Sequence, residues 1–122
     1  MGVKVLVVDD SSVIRQQLSI ALSQAGFEVM EACDGVDGLN QFAANDGIDL
    51  IVSDVNMPNM NGLEMVESIK KDPKGPATPV VMLTTEGDPG LIKRAKEAGA
   101  KGWMVKPFNA DMLIKTINKL VN

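Results

Sequence analysis

The sequence predicts an α/β fold, a doubly wound sheet of five parallel strands with helices on both faces. The first observation is a set of short runs rich in Val, Ile, Leu and Met at 3–8, 48–53, 79–83 and 102–105. They mostly lack polar alternation, the pattern of strands buried on both faces. The second is that stretches of helical spacing separate the runs, giving five βα units in succession. Strands that alternate with helices return parallel to one another. The third is positional. Asp9, Asp10, Asp54, Thr84 and Lys106 each stand just past the end of such a run. Doubly wound sheets bind ligands outside the carboxyl ends of their strands, at the topological switch point.

Taken in order, the first run ends at Asp9-Asp10, and Ser12 is the expected N-cap of the helix that follows. That helix places Ile14, Leu18, Ala21, Leu22 and Ala25 on one face and stops at Gly26. The weaker run FEVMEA at 27–32 alternates, as an outer strand does. Shorter helical patterns cover 35–44 and 62–70 on either side of the run at 48–53. Asp72-Pro73-Lys74-Gly75-Pro76 reads only as a loop. After the run at 79–83, Asp88 and Pro89 fit a cap and first helical position, Leu91, Ala95 and Ala98 share a face, and Gly99 closes the helix. Lys106 precedes Pro107, a bond at which the cis form costs only about 0.5–1 kcal/mol and would turn the lysine into the crevice. Leu113, Thr116, Ile117 and Leu120 mark the last helix. No linker or composition break interrupts the chain, so one domain is expected over 1–122, ending naturally at Val121-Asn122.

Bulk properties exclude several functions. A length of 122 residues allows one domain of ordinary size, and 45% hydrophobic content supports a core. The aromatics are Phe27, Phe42, Phe108 and Trp103, so aliphatic and Met side chains must fill the interior. The lone Cys33 cannot form an internal disulfide, which fits a reducing, cytoplasmic setting. The start is neither a signal peptide nor a membrane span, and Leu6 occupies the hydroxyl position that a myristoylation site needs. A net charge of −4 disfavours nucleic acid. That charge is uneven. Residues 1–90 hold 5 Lys and Arg against 14 Asp and Glu, and residues 91–122 hold 7 against 2. The last third is thus a basic face on an acidic protein, readable as solvated helix surface or as a docking face for an acidic partner. There is no histidine, so chemistry rests on carboxylates, hydroxyls, lysine or a metal.

Asp9, Asp10 and Asp54, brought within a few ångströms, would repel one another unless a cation intervened. All-oxygen donors without His or Cys favour Mg²⁺ over zinc. Lys106 would pair with the carboxylates and could hold a phosphoryl oxygen; Thr84 or Thr85 could donate a hydroxyl to the same oxygen. An aspartate can attack phosphorus to form an acyl phosphate. Asp54, on a central strand, is the expected nucleophile, and the Asp9-Asp10 pair suits the metal.

These residues resemble the receiver domain of two-component response regulators, of the single-domain chemotaxis (CheY) type. The matching stretches are VLVVDDSS at 5–12, IVSDVNMPNMNGLE at 51–64, VVMLTTEG at 80–87 and GWMVKPF at 102–108, co-ordered from Lys4 to Val121. The resemblance implies a flavodoxin-like strand order 2-1-3-4-5. It implies that Asp54 is the phospho-acceptor and also a Mg²⁺ ligand, that Asp10 ligates Mg²⁺ directly, that Asp9 does so largely through water, and that Asn56 lends a backbone carbonyl. It implies that Thr84 and Lys106 bind the phosphoryl group, that Thr84 and Trp103 form the switch, and that Asn56 and Glu86 tune dephosphorylation. Trp103 stands where the family usually has Tyr or Phe, and Val55 replaces a tryptophan of some chemotaxis members.

The implied function is a monomeric response regulator of chemotaxis or motility that catalyses its own phosphorylation and dephosphorylation. The implied partners are a histidine kinase as donor, a downstream target such as a flagellar motor switch protein, and a phosphatase, with no nucleic acid or membrane. Helix 88–98, strand 101–105 and helix 109–121 would change shape with phosphorylation. A phosphorelay intermediate is the nearest rival. A Mg²⁺-dependent phosphohydrolase with an aspartyl intermediate would want a second carboxylate where Asn56 stands, and a flavodoxin-like cofactor binder would want a less acidic crevice.

Overall fold

The computed structural model describes residues 2–84 and 89–121. Along the chain run β1 (Lys4–Val8), α1 (Ser12–Gln24), β2 (Glu28–Ala32), α2 (Gly35–Ala44), β3 (Leu50–Asp54), α3 (Gly62–Lys71), β4 (Val80–Thr84), α4 (Pro89–Ala98), β5 (Gly102–Val105) and α5 (Ala110–Val121). The strands form one parallel sheet in the order β2-β1-β3-β4-β5. The order reverses between β1 and β3, so the crevice above these two strands is the switch point at which such sheets bind ligands.

The period of two along each strand divides the core. Leu6, Val8, Ile51, Val80 and Met82 face one side, with Phe42 of α2, Val66 and Ile69 of α3 and Ala95 of α4. Val5, Val7, Leu50, Val52, Val81 and Leu83 face the other, with Leu18 and Leu22 of α1 and Leu113 and Ile117 of α5. β3 and β4 are buried along their whole length because both have a strand on either side and helices on both faces. This is why their sequences carry no alternation. β2 lies at the edge expected from FEVMEA, although its burial does not alternate strictly.

Three expectations are corrected. The run at 102–105 was expected to be buried on both faces, but β5 is the other sheet edge, only half-buried, with Val105 48% exposed. The N-cap of α1 is Ser11, not Ser12. Asp9 Oδ1 accepts the Ser11 N–H at 2.9 Å, and this tight turn lets Ser11 Oγ accept from the Ile14 N–H at 3.3 Å, one residue earlier. The segment 72–76 is not all loop. Asp72 Oδ1 accepts from the Lys74 N–H, and Gly75–Ala77 forms a 3₁₀ turn in which Pro76 sits where its missing N–H costs nothing. The expected stops hold, with Gly26 at φ 95° and Gly99 at φ 114°. The Asp88 cap lies outside the described residues.

Below the sheet, at the end away from the switch point, α2 finishes without a basic residue in its last turn. Lys74 supplies the charge from another part of the chain. Its Nζ donates to the carbonyls of Phe42 at 2.8 Å and Asn45 at 3.3 Å, pairs with Asp46 Oδ1 at 3.3 Å, and lies 5.0 Å from the Phe42 ring centre. An ammonium there satisfies orphan carbonyls and opposes the helix dipole. Lys74→Met keeps the stem and removes the charge, and should lower unfolding free energy in urea by about 1–2 kcal/mol.

Candidate functional site

The β1–α1 turn and the end of β3 build the crevice. Asp9 and Asp10 leave β1, and Asp54 is the last residue of β3. Carboxylate oxygens of all three lie within 4.8 Å of one another, with Asp9 and Asp54 buried and Asp10 exposed. Lys106, one residue past β5, reaches across β4. Its Nζ is 3.0 Å from Asp9 Oδ2 and 3.3 Å from Asp54 Oδ2. The Lys106 N–H donates to the Thr84 carbonyl at 2.6 Å, and the Lys106–Pro107 bond is cis.

Each acid is aimed by its own backbone. Asp54 Oδ1 accepts the Val55 N–H at 2.8 Å, and Ser53 Oγ donates to the Asp54 carbonyl at 2.8 Å. Gly62 opens α3 against that same carbonyl; a Cβ at position 62 would overlap it, and the Gly62 N–H donates to the Val55 carbonyl at 2.8 Å. Asp9 Oδ1 holds the Ser11 N–H, which leaves Oδ2 for Lys106.

The electrostatics follow from this packing. Burial pushes the Asp54 carboxyl above the usual carboxylate range, and the Asp9 charge pushes the same way, with Lys106 opposing both. Burial alone would lower the Lys106 ammonium. Its hydrogen bond to Asp9 and the charges of Asp54 and Asp9 outweigh that, and it ends above its ordinary value. Two carboxylates at this separation repel by about 3 kcal/mol at an effective dielectric of about 20. Three carboxylates against one ammonium leave a deficit that a divalent cation would fill. The donors are all oxygen, and Asp10 faces solvent, so the residues fit Mg²⁺ with retained waters.

Of the expected site residues, Asp9, Asp10, Asp54 and Lys106 are brought together directly. Asp54 and Thr84 lie on the last positions of their strands rather than past them. Thr84 is fully buried and ends the strand beside β3, where Asp54 pairs with Leu83. Asn56 is exposed two residues after Asp54. Trp103 is half-buried on β5 against the core, and its buried Nε1 has no hydrogen-bond partner among the described residues. Thr85 and Glu86 lie outside the described residues.

Sequence reasoning missed two contributors. Arg15 donates from Nη1 to the Asp9 carbonyl at 2.7 Å and pairs through Nε with Glu31 at 3.2 Å. Nothing in its helical pattern distinguishes it from a surface arginine. Asp34 and Asn59 are bonded at 2.7 Å across 25 residues, a pairing that no local spacing announces.

Comparison with known proteins agrees with this geometry. The family model described as "Response regulator receiver domain" matches residues 5–118. Chemotaxis protein CheY1 of Helicobacter pylori is 40% identical over 111 residues, 90% of each chain. The chemotaxis protein CheY homolog of Campylobacter jejuni is 38% identical over 90% of this chain and 85% of its own. Among solved structures, Vibrio cholerae chemotaxis protein CheY4 superposes with a TM-score of 0.93 at 44% identity, covering 98% of this chain and 99% of that one. A response regulator receiver domain protein from Clostridium thermocellum gives 0.91 at 35% identity, covering 98% and 94%. Sequence, strand order and acidic crevice therefore lead to one conclusion: the chain belongs to the response regulator receiver domain family.

Proposed function

We propose that the chain, as one receiver domain over 1–122, is a phosphorylation-driven switch for chemotaxis or motility, with Asp54 as phospho-acceptor. The observation that carries this is the buried Asp54 carboxylate held between the Lys106 ammonium and the carboxylates of Asp9 and Asp10. The chemotaxis assignment is supported by the relatives at about 40% identity.

Asp54 attacks the phosphorus of a phosphohistidine on the kinase. The oxygen–phosphorus bond forms, the phosphorus–nitrogen bond breaks, and the imidazole leaves with its electron pair and takes up a proton. Asp9, Asp10 and the Asn56 carbonyl would hold Mg²⁺, which when bound offsets charge on the transferring group. Lys106 supplies a fixed positive charge beside the acceptor, and the Thr84 hydroxyl takes a phosphoryl oxygen. Asn56 and Glu86 tune the lifetime of the acyl phosphate. A protein without histidine is an acceptor in such an exchange and not a second donor of the same type.

Phosphorylation shifts a two-state balance only by what it stabilises differently in the two states. The readout proposed is the face of α4, β5 and α5, which carries exposed Lys93, Lys96, Lys101, Lys115 and Lys119. Trp103 lies on this face beside a cavity of about 140 Å³ lined by Ile92, Ala95, Lys96 and Ala100. This basic surface suits an acidic segment of a downstream target. The donor is a histidine kinase, and a phosphatase acts on the product.

With Mg²⁺ and acetyl phosphate, the protein should gain one phosphoryl group by intact mass, and Trp103 fluorescence should change. Asp54→Asn and chelated samples should show neither. A wild-type protein that gains no mass would sink the proposal, and sustained hydrolysis of simple phosphate esters would favour a phosphohydrolase.

The pH dependence has a definite sign. A carboxyl whose folded pKa is raised contributes stability that is complete below the ordinary value near about 3.9 and is lost as pH rises through the folded value. At pH 7 the ionised Asp54 therefore costs stability. In Mg²⁺-free buffer Asp54→Asn should be the more stable protein at pH 7 by up to about 1 kcal/mol, solvent at the Asp10 mouth screening part of the effect. Urea titrations repeated at about pH 4 should show the gain reduced.

A further inference from the structure

The loop between β3 and α3 leaves the acceptor and carries Asn56. It is fastened at its far end to the start of α2. Asp34, the N-cap of α2, uses its two carboxylate oxygens for two purposes. Oδ1 accepts the Asp37 N–H at 2.8 Å and caps the helix, and Oδ2 accepts from Asn59 Nδ2 at 2.7 Å. The next residue adds a second fastening, since the Gly35 N–H donates to the Met60 carbonyl at 3.2 Å, and a Cβ at position 35 would overlap that carbonyl. Asn59 adopts φ 67°, a left-handed conformation that few residues other than glycine take without strain. Asp34 is buried, and its carboxyl lies below the usual range because the Asp37 N–H and then the Asn59 amide stabilise the charge.

We propose that Asp34 and Asn59 are a positioning pair for the cation site: their hydrogen bond fixes the β3–α3 loop so that the Asn56 carbonyl is presented to the metal. The inference rests on the assignment of Asn56 to the cation site made under Proposed function. At its near end the loop is held by the Asp54 Oδ1 bond to the Val55 N–H and by the Gly62 bond to the Val55 carbonyl. With the far end also tied, residues 56–60 are strung between two anchors and carry little freedom. Releasing the Asp34–Asn59 bond would let Asn56 sample geometries that a small, strictly octahedral cation rejects.

The chemistry of the pair permits a test that separates positioning from folding. In D34N one side-chain oxygen remains to cap α2, and the new amide nitrogen can donate to Asn59 Oδ1 once the Asn59 amide flips, so the bond survives without the charge. In N59D two carboxylates face each other. The double exchange D34N/N59D restores one donor and one acceptor, keeps the cap, and leaves the charge of the pair unchanged; Asp tolerates the left-handed conformation. N59G removes the bond while accepting the same φ.

The experiment is a MgCl₂ titration of the ¹⁵N-labelled protein, following the amide shifts of Asp10 and Val55, with thermal melting of the metal-free samples alongside. N59D and N59G should each raise the Mg²⁺ Kd by about fivefold, the worth of one net hydrogen bond, and D34N and the double exchange, which keep the bond, should stay within about twofold of wild type. Lower melting temperatures with an unchanged Kd would show a purely structural bond and overturn the inference. So would weakened N59D and N59G without recovery in the double exchange. A wild-type protein whose Asp10 amide does not respond to Mg²⁺ would instead remove the cation site itself, and the inference with it.

Discussion

The crevice is organised by a charge imbalance. Two buried carboxylates and a third at the surface lie within 4.8 Å, and one ammonium stands against them. No arrangement of those groups alone is neutral. The fold tolerates this because the surrounding backbone supplies dipoles, the Ser11 N–H to Asp9 and the Val55 N–H to Asp54, and because both acids end or follow central strands rather than sitting among apolar side chains. The residual negative charge suits the crevice to a divalent cation. It also discourages the approach of a bare phosphate. A cation in the crevice would thus ease the approach of a phosphoryl group.

Much of the fold was legible in the sequence because central parallel strands announce themselves. β1, β3 and β4 have neighbours and helices on all sides, so selection for burial leaves apolar runs without alternation. β5 has the same composition but lies at an edge, and composition cannot distinguish a strand with one neighbour from a strand with two. The cap of α1 was displaced by a single residue because a side-chain bond from Asp9 tightened the turn. The acids and Lys106 could be named because strand ends converge in this topology. Arg15, Asn59 and Asp34 could not, since their roles arise from contacts to main-chain or side-chain atoms far away along the chain or around the turn, and no periodic pattern encodes those.

The two sides of the crevice are built differently, and that difference bears on how a signal could leave it. On the β1–β3 side, the acid-bearing turn is tied to β2 through Arg15 and Glu31, and the β3–α3 loop is tied at both ends. Movement there would break several bonds at once. On the β4–β5 side, Lys106 is fastened to Thr84 through one main-chain bond, β5 is a half-buried edge, and the Trp103 indole N–H is buried without a partner among the described residues. A buried donor left unpaired costs about 1–3 kcal/mol. The exposed lysines of α4 and α5 lie in the helices that follow these two strands. Lys106 joins the two halves: its Nζ reads the charge on Asp54 and Asp9, while its main chain continues directly from the strand that carries Trp103.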